Sequence, residues 1–330
     1  MNRKDDHIQF ASMQQPQLND FDKLRFVHHA FPETNLDEID VSIQMFNRRF
    51  PLPFFVNAMT GGSDQAKTLN ERFARLAKHY QIPIATGSVS AAIKNPALAS
   101  SFTVLREIYP EGFVFANVGG GQSLVNAKKA VDLLKANALQ IHINPVQEAV
   151  MPEGDKHFKG WLSLVQTIRQ GLSIPVIVKE VGFGMSHQSF QQLQSIGIQY
   201  VDVAGQGGTN FSIIENHRRT HQIQSFDQWG ISTVQSLLTA KKFPQLTIIA
   251  SGGIRNPLDV IKSLALGAKM VGLSGYFLHL VKNHTHEEAL VLMDAFIEEL
   301  KLIMLVLGKK NISLLTTAAY TIDPSLKESL

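Results

Sequence analysis

Two glycine-rich words late in the chain carry the clearest chemical signal, Ser251-Gly252-Gly253-Ile254 and Gly272-Leu273-Ser274-Gly275. Glycines let backbone N–H groups approach phosphate oxygens closely, so each word suits a phosphate-bearing ligand. Neither is a GxGxxG dinucleotide fingerprint nor a P-loop, and phosphosugars and FMN use loops of this kind equally well. Lys179 follows the apolar run Pro175-Val176-Ile177-Val178. An ammonium there is costly unless it meets an anion or an electrophile. It could form a Schiff base, or face an electron-rich ring such as the N1–C2 side of a flavin; the bland alternative is an ion pair with Glu148 or Glu180. In His142-x-Asn144-x-x-Gln147-Glu148, His142 and Asn144 share a face of an extended segment, and Glu148 is a hard oxygen ligand suited to Mg²⁺. Arg3, Lys4 and His7 are either a solvated tail or an arm that clamps a second anion over a site.

These residues need a scaffold, and the hydrophobic pattern supplies one. Eight short apolar runs recur: Phe54–Asn57, Ile82–Ala85, Phe113–Ala116, Leu139–Ile143, Pro175–Val178, Tyr200–Val203, Thr247–Ala250 and Lys269–Leu273. Helix-like patterns separate them, at Ala66–Tyr80, Leu124–Lys135, Trp161–Gln170, Ser189–Ile196, Ser232–Lys241 and Pro257–Leu266. Eight strand-plus-helix units predict an α/β fold, the (β/α)8 TIM barrel, whose chemistry lies where strands end. Polar or glycine-rich words stand after the runs: Asn57 to Gly62, Thr86-Gly87-Ser88, Asn117 to Gly120, Lys179-Glu180 and Gly205 to Asn210 among them. The domain reading is an N-terminal extension over the barrel mouth (1–50), a (β/α)8 barrel with a phosphate-type ligand site, closed by a C-terminal helix near Glu287–Val306 (51–310), and a polar, loosely held tail (311–330).

Composition narrows the chemistry further. The 330 residues include no cysteine, which excludes disulfides, Cys-ligated metals and a thiol nucleophile. Lys and Arg total 31 against 28 Asp and Glu, a balance too even to imply nucleic acid. No apolar stretch approaches the roughly 20 residues that span a bilayer, and no apolar signal core follows the first residues. The expectation is a cytoplasmic protein with a small-molecule partner, without nucleic acid or membrane insertion. Arg218, Arg219 and Arg255 leave open an FMN oxidase or dehydrogenase of a small 2-hydroxy acid, although no histidine base stands convincingly beside them.

Taken together, Arg3 to His7, Asn57-Ala58-Met59-Thr60-Gly61-Gly62, Gln140-Ile141-His142 with Gln147-Glu148, Met151 to Asp155, Lys179-Glu180-Val181-Gly182-Phe183-Gly184 and Gly207 to Phe211 resemble type 2 isopentenyl diphosphate isomerase. The resemblance runs from residue 3 to about residue 320. It implies an isomerase that interconverts isopentenyl and dimethylallyl diphosphate with FMN, NADPH as reductant and Mg²⁺, as a cytoplasmic homotetramer or octamer. By the same resemblance, FMN contacts fall on Ala58, Met59, Thr60, Ser88, Asn117, Lys179, Thr209, Gly253, Ser274 and Gly275. Substrate contacts fall on Arg3, Lys4, His7, Ser88, His142, Asn144 and Gln147, with Gln147 and His142 as catalytic candidates and Glu148 on the metal. Many members carry an arginine where this chain has Ser90, which shifts diphosphate charge onto Arg3, Lys4 and Mg²⁺.

Overall fold

The computed structural model describes residues 3–14 and 19–327. Its centre is a closed barrel of eight parallel strands: β1 (Phe54–Val56), β2 (Ile84–Ala85), β3 (Val114–Gly119), β4 (Ala138–His142), β5 (Val176–Lys179), β6 (Tyr200–Asp202), β7 (Thr247–Ser251) and β8 (Met270–Leu273). Sequence neighbours pair in turn, and β8 returns to β1 with Leu273 opposite Val56. Each strand falls on one of the expected apolar runs. They read as continuous apolar words because helices cover the outside while side chains fill the inside; Phe54, Phe55 and Val56 are all fully buried.

Helices begin where a small polar side chain takes up a free first-turn N–H. Ser63 accepts from Ala66 N ahead of Asp64–His79, Ser123 from Asn126 N ahead of Leu124–Leu134, and Asn256 from Asp259 N ahead of Pro257–Ala265. The last long helix, His286–Val306, lays Met293, Phe296, Leu300 and Met304 on the barrel, three to four residues apart.

The interior is graded along its axis. Lower positions carry aromatic and aliphatic groups such as Phe55 and Phe115, whose ring centroids lie 5.1 Å apart. Two residues further along the same strands, on the same inner face, stand Asn57 and Asn117. Strand pairing sets Gly119, His142, Lys179 and Asp202 side by side across β3 to β6.

The first fifty residues divide, where a single extension over the mouth was expected. Helix Arg3–Met13 and the turn Asp20–Lys23 lie at the strand-end face. A hairpin, Ile43–Met45 with Arg48–Phe50, instead closes the opposite end. Its two-residue turn has φ 52° at Phe46 and 56° at Asn47, a twist that suits a tight hairpin. Phe46 thereby stacks on Phe113 (5.2 Å) and meets Phe115 and Tyr200 (5.8 and 4.9 Å) at the barrel base. An apolar barrel end needs a cover, and the alternating pattern of Val41, Ile43 and Met45 supplies it.

The C-terminal segment also differs from a loosely held tail. Tyr320–Ile322 pairs antiparallel with Leu24–Phe26, and Leu315 and Leu326 are buried. Those few apolar residues are spaced to reach the core, which composition alone hides. Replacing Phe46 by Ala is expected to destabilise the protein by about 2–3 kcal/mol, since three ring contacts are lost from a half-buried site. A urea titration followed by fluorescence would measure it.

Candidate active site

The mouth is floored by a ring of buried polar side chains. Asn57 Nδ2 donates to Asp202 Oδ2 (2.9 Å), Gln140 Nε2 donates to Asn57 Oδ1 (3.0 Å), and Asn117 Nδ2 donates to Gln140 Oε1 (3.2 Å). Ser251 Oγ donates to Asp202 Oδ1 (2.6 Å). His142 Nδ1 lies 2.7 Å from Asn117 Oδ1, so Nδ1 carries the proton and a neutral ring keeps Nε2 as an acceptor.

Lys179, only 6% exposed, donates to the Glu180 carbonyl at 2.6 Å. Burial pushes its pKa down, while the charges of Asp202 and Glu180 oppose that shift. Asp202 is pushed up by burial and drawn down by Lys179. The charges that act on the lysine are thus those of Asp202 and Glu180. Glu180 is turned away: its Oε2 accepts the N–H groups of Val181, Gly182 and Phe183, and burial raises it to about 7.

Loops after the strands form a phosphate cradle. Gly252 and Gly253 have φ 89° and 70°, and a Cβ on Gly252 would lie 2.1 Å from the Gly205 carbonyl oxygen. A Cβ on Gly275 would meet nothing within 4 Å. Helix Gly275–Asn283 starts there without a side-chain cap, which leaves its first N–H groups directed at an anion. Thr60 Oγ1 and Thr86 Oγ1 are buried among the described residues without a hydrogen-bond partner. Open glycines on the β7 and β8 loops, orphaned hydroxyls on the neighbouring β1 and β2 ends and Lys179 across the barrel on β5 fit a flavin mononucleotide. Of the expected contacts, Ala58, Met59, Thr60 and Ser88 lie on the β1 and β2 loops, Asn117 and Lys179 on the floor, and Thr209, Gly253, Ser274 and Gly275 on the β6 to β8 loops. Ser88 Oγ donates to Ser90 Oγ at 3.1 Å.

Above this floor sits a carboxylate that sequence reasoning missed. Glu215, on helix Phe211–Asn216 after β6, has a fully buried side chain. Its Oε1 accepts from Gln147 Nε2 (3.0 Å) and lies 2.9 Å from His7 Nε2; its Oε2 pairs with Arg218 (2.6 Å). Burial alone would raise its pKa, but His7, Gln147 and Arg218 together lower it to about 2. Asn144 Nδ2 donates to both Gln147 Oε1 and Glu148 Oε1, at 3.1 Å each. The N-terminal helix is pinned across this group. Ser63 Oγ donates to Asp5 Oδ1 (2.6 Å), and Phe10 stacks on His217 at 4.9 Å. The side chains of Arg3 and Lys4 lie outside the described residues. Asp202 and Glu215 both had a signal: a charge inside the apolar words Tyr200–Val203 and Phe211–Glu215.

Glu148 accepts from Asn144 through Oε1 and from Asp155 N through Oε2 (2.8 Å). Among the described residues no three His, Cys, Asp or Glu side chains cluster as a metal site. A lone carboxylate with spare lone pairs suits Mg²⁺ that takes its other ligands from water and substrate phosphate.

This fold and cradle define a class. Residues 122–321 match the family described as FMN-dependent dehydrogenase. The chain is 47% identical to the isopentenyl-diphosphate delta-isomerase of Latilactobacillus sakei, over 99% of this chain and 95% of that one. It is 45% identical to the protein of the same name from Staphylococcus aureus, over 98% and 94%. Among solved structures, it resembles a doubly substituted flavocytochrome b2 with pyruvate bound (TM-score 0.72, 18% identity, 99% of this chain and 80% of that one). A substituted mandelate oxidase with an FMN adduct is also similar (TM-score 0.65, 14% identity, 96% and 92%). Those two likenesses concern the fold alone. The chain belongs to the FMN-dependent family and, within it, to the isopentenyl-diphosphate delta-isomerases. It is an FMN-linked isomerase.

Because Glu215 is held near 2 against an ordinary 4.5, its contribution to stability is full above pH 4.5 and is lost as pH falls towards 2. Glu215→Gln is expected to lower stability at pH 7 by about 3 kcal/mol. The variant should also flatten the acid limb between those pH values. Thermal midpoints recorded across that range, beside wild type, check both effects.

Proposed function

We propose that this chain interconverts isopentenyl diphosphate and dimethylallyl diphosphate by adding a proton at one carbon and removing one from its neighbour, with no net transfer of electrons. The observation that carries this reading is the chain His7–Glu215–Gln147 over the flavin cradle. It is an arrangement for holding and moving protons.

Reduced FMN, once bound, supplies an electron-rich ring and a protonatable N5 beside the alkene. Lys179 balances charge on its N1–C2 side, and NADPH is the source of its electrons. Mg²⁺ on Glu148 neutralises diphosphate charge and fixes the substrate. Arg3, Lys4, His7, Ser88, His142 and Asn144 contact the substrate. Gln147 assists at the second carbon. A neutral amide is a poor base, and here the anionic Glu215 fixes its Nε2 while Asn144 fixes its Oε1, so it orients or relays a proton. His142, anchored by Asn117, positions substrate.

The competing reading, oxidation of a 2-hydroxy acid, needs arginines available for a carboxylate. Arg218 is committed to Glu215 and Glu153, Arg255 to Asp22 and Asp259, and Arg219 to the Val150 and His221 carbonyls. The reading extends to a cytoplasmic homotetramer or octamer. Exposed Val291, Leu302 and Val306 on the outer helix support association, and among the described residues no helix is long and apolar enough to cross a membrane.

Under anaerobic conditions, a catalytic amount of reductant should sustain many turnovers, and 5-deaza-FMN should bind but abolish them. NADPH consumed in proportion to product would overturn the isomerase reading, and brisk turnover with the 5-deaza cofactor would return the acid role to His142. EDTA should stop turnover with FMN retained. Glu148→Gln should raise the Mg²⁺ requirement at least roughly tenfold. An unchanged Mg²⁺ titration would remove Glu148 from the metal.

A further inference from the structure

Asn19 makes contacts out of proportion to a surface turn. Its Nδ2 donates to the carbonyl oxygens of Gly253 (2.8 Å) and Gly207 (3.3 Å), which belong to the loops after β7 and β6. At the same time its Oδ1 accepts from Phe21 N (3.0 Å) and its own N–H donates to Asp22 Oδ2 (2.8 Å). The turn that carries it is fixed from below. Arg255 pairs with both oxygens of Asp22 (2.8 and 2.9 Å) and with Asp259 (2.8 Å), and the buried Lys262 Nζ donates to the Phe21 carbonyl at 2.7 Å.

The two carbonyls are not arbitrary acceptors. In a planar trans peptide, C=O and the following N–H point in opposite directions. Drawing the Gly207 and Gly253 carbonyls towards Asn19 therefore turns the N–H groups of Gly208 and Ile254 away from it, on the two loops that form the phosphate cradle. The loops are in contact at this point: a Cβ on Gly208 would lie 2.6 Å from Gly253 N. Gly207 and Gly253 have φ 121° and 70°, so their peptide planes are held in orientations that few other residues adopt.

We propose that Asn19 is a positioning residue for the flavin phosphate: it clamps the β6 and β7 loops together and aims their N–H groups at the anion. The inference rests on the flavin-dependent reading above. It also explains the residue type. Only a side-chain amide donates to two carbonyls while accepting the N–H of its own turn; a carboxylate accepts only, and a hydroxyl has one proton.

That difference gives the test. Asn19→Asp keeps an acceptor for Phe21 N–H, and Asp caps turns as well as Asn does, but it sets a carboxylate oxygen against two carbonyls. In full-length protein stripped of flavin, FMN affinity is read by quenching of flavin fluorescence, beside the thermal midpoint of the flavin-free protein. The expected result is an FMN Kd raised at least roughly tenfold, in protein whose flavin-free thermal transition stays cooperative and within a few degrees of wild type, from the loss of two hydrogen bonds and the added repulsion. FMN bound as tightly as by wild type overturns the proposal. Should Asn19→Asp fold poorly, Asn19→Ser decides. It retains a cap but is too short to bridge both loops, so it is expected to weaken FMN by a smaller factor, and wild-type affinity in it overturns the clamp. Wild-type protein that takes up no FMN would instead sink the flavin reading itself.

Discussion

Everything at the mouth depends on one requirement: a barrel interior that changes from aromatic to polar must satisfy every buried donor and acceptor at the boundary. The ring through Asp202, Asn57, Gln140, Asn117 and His142 meets it with side chains that both give and take, each amide bonded to the next. Buried amides left unpaired would cost on the order of 1–3 kcal/mol each. The ring therefore fixes rotamers and, at its end, the tautomer of His142. It also leaves Lys179 buried within reach of two carboxylate charges, those of Asp202 and Glu180.

Two ionisable groups near this floor show opposite solutions to burial. Glu180 accepts only backbone N–H groups and rises to about 7. Glu215 has the Arg218 guanidinium, His7 and the Gln147 amide as partners and stays near 2. The contrast separates a carboxylate that shapes a loop from one that holds charge at the reacting end. It also accounts for the N-terminal helix: His7 completes the shell of Glu215, so the helix is fixed to the site by a hydrogen-bonding contact as well as by the apolar packing of Ile8.

Much of this was legible in the sequence. The eight strands and the long helices show in apolar period and capping residues, and the glycine words mark the cradle because few other chemistries call for that density of glycine. What stayed hidden depended on partners far along the chain. Phe46 reads as one more apolar residue in a polar stretch; only the two positive φ values at Phe46 and Asn47 turn it into a plug. Glu215 ends a short apolar word, but its partners His7 and Gln147 lie 208 and 68 residues away. Asn19 is indistinguishable from an ordinary cap until the loops nearly 200 and 240 residues later arrive. The supposed loose tail failed for the same reason, since Ile322 gains meaning only opposite Leu24.

That last pairing has a consequence for how the molecule is made. The ribosome releases the N-terminal segment first, at about 5–20 residues per second, yet its partners are among the last residues to emerge. Leu24 must wait for Ile322, and Asn19 for Gly253. Contacts this distant in sequence form slowly. The Leu24–Ile322 and Asn19–Gly253 contacts stand among the longest-range in the molecule, spanning nearly the whole barrel between their partners.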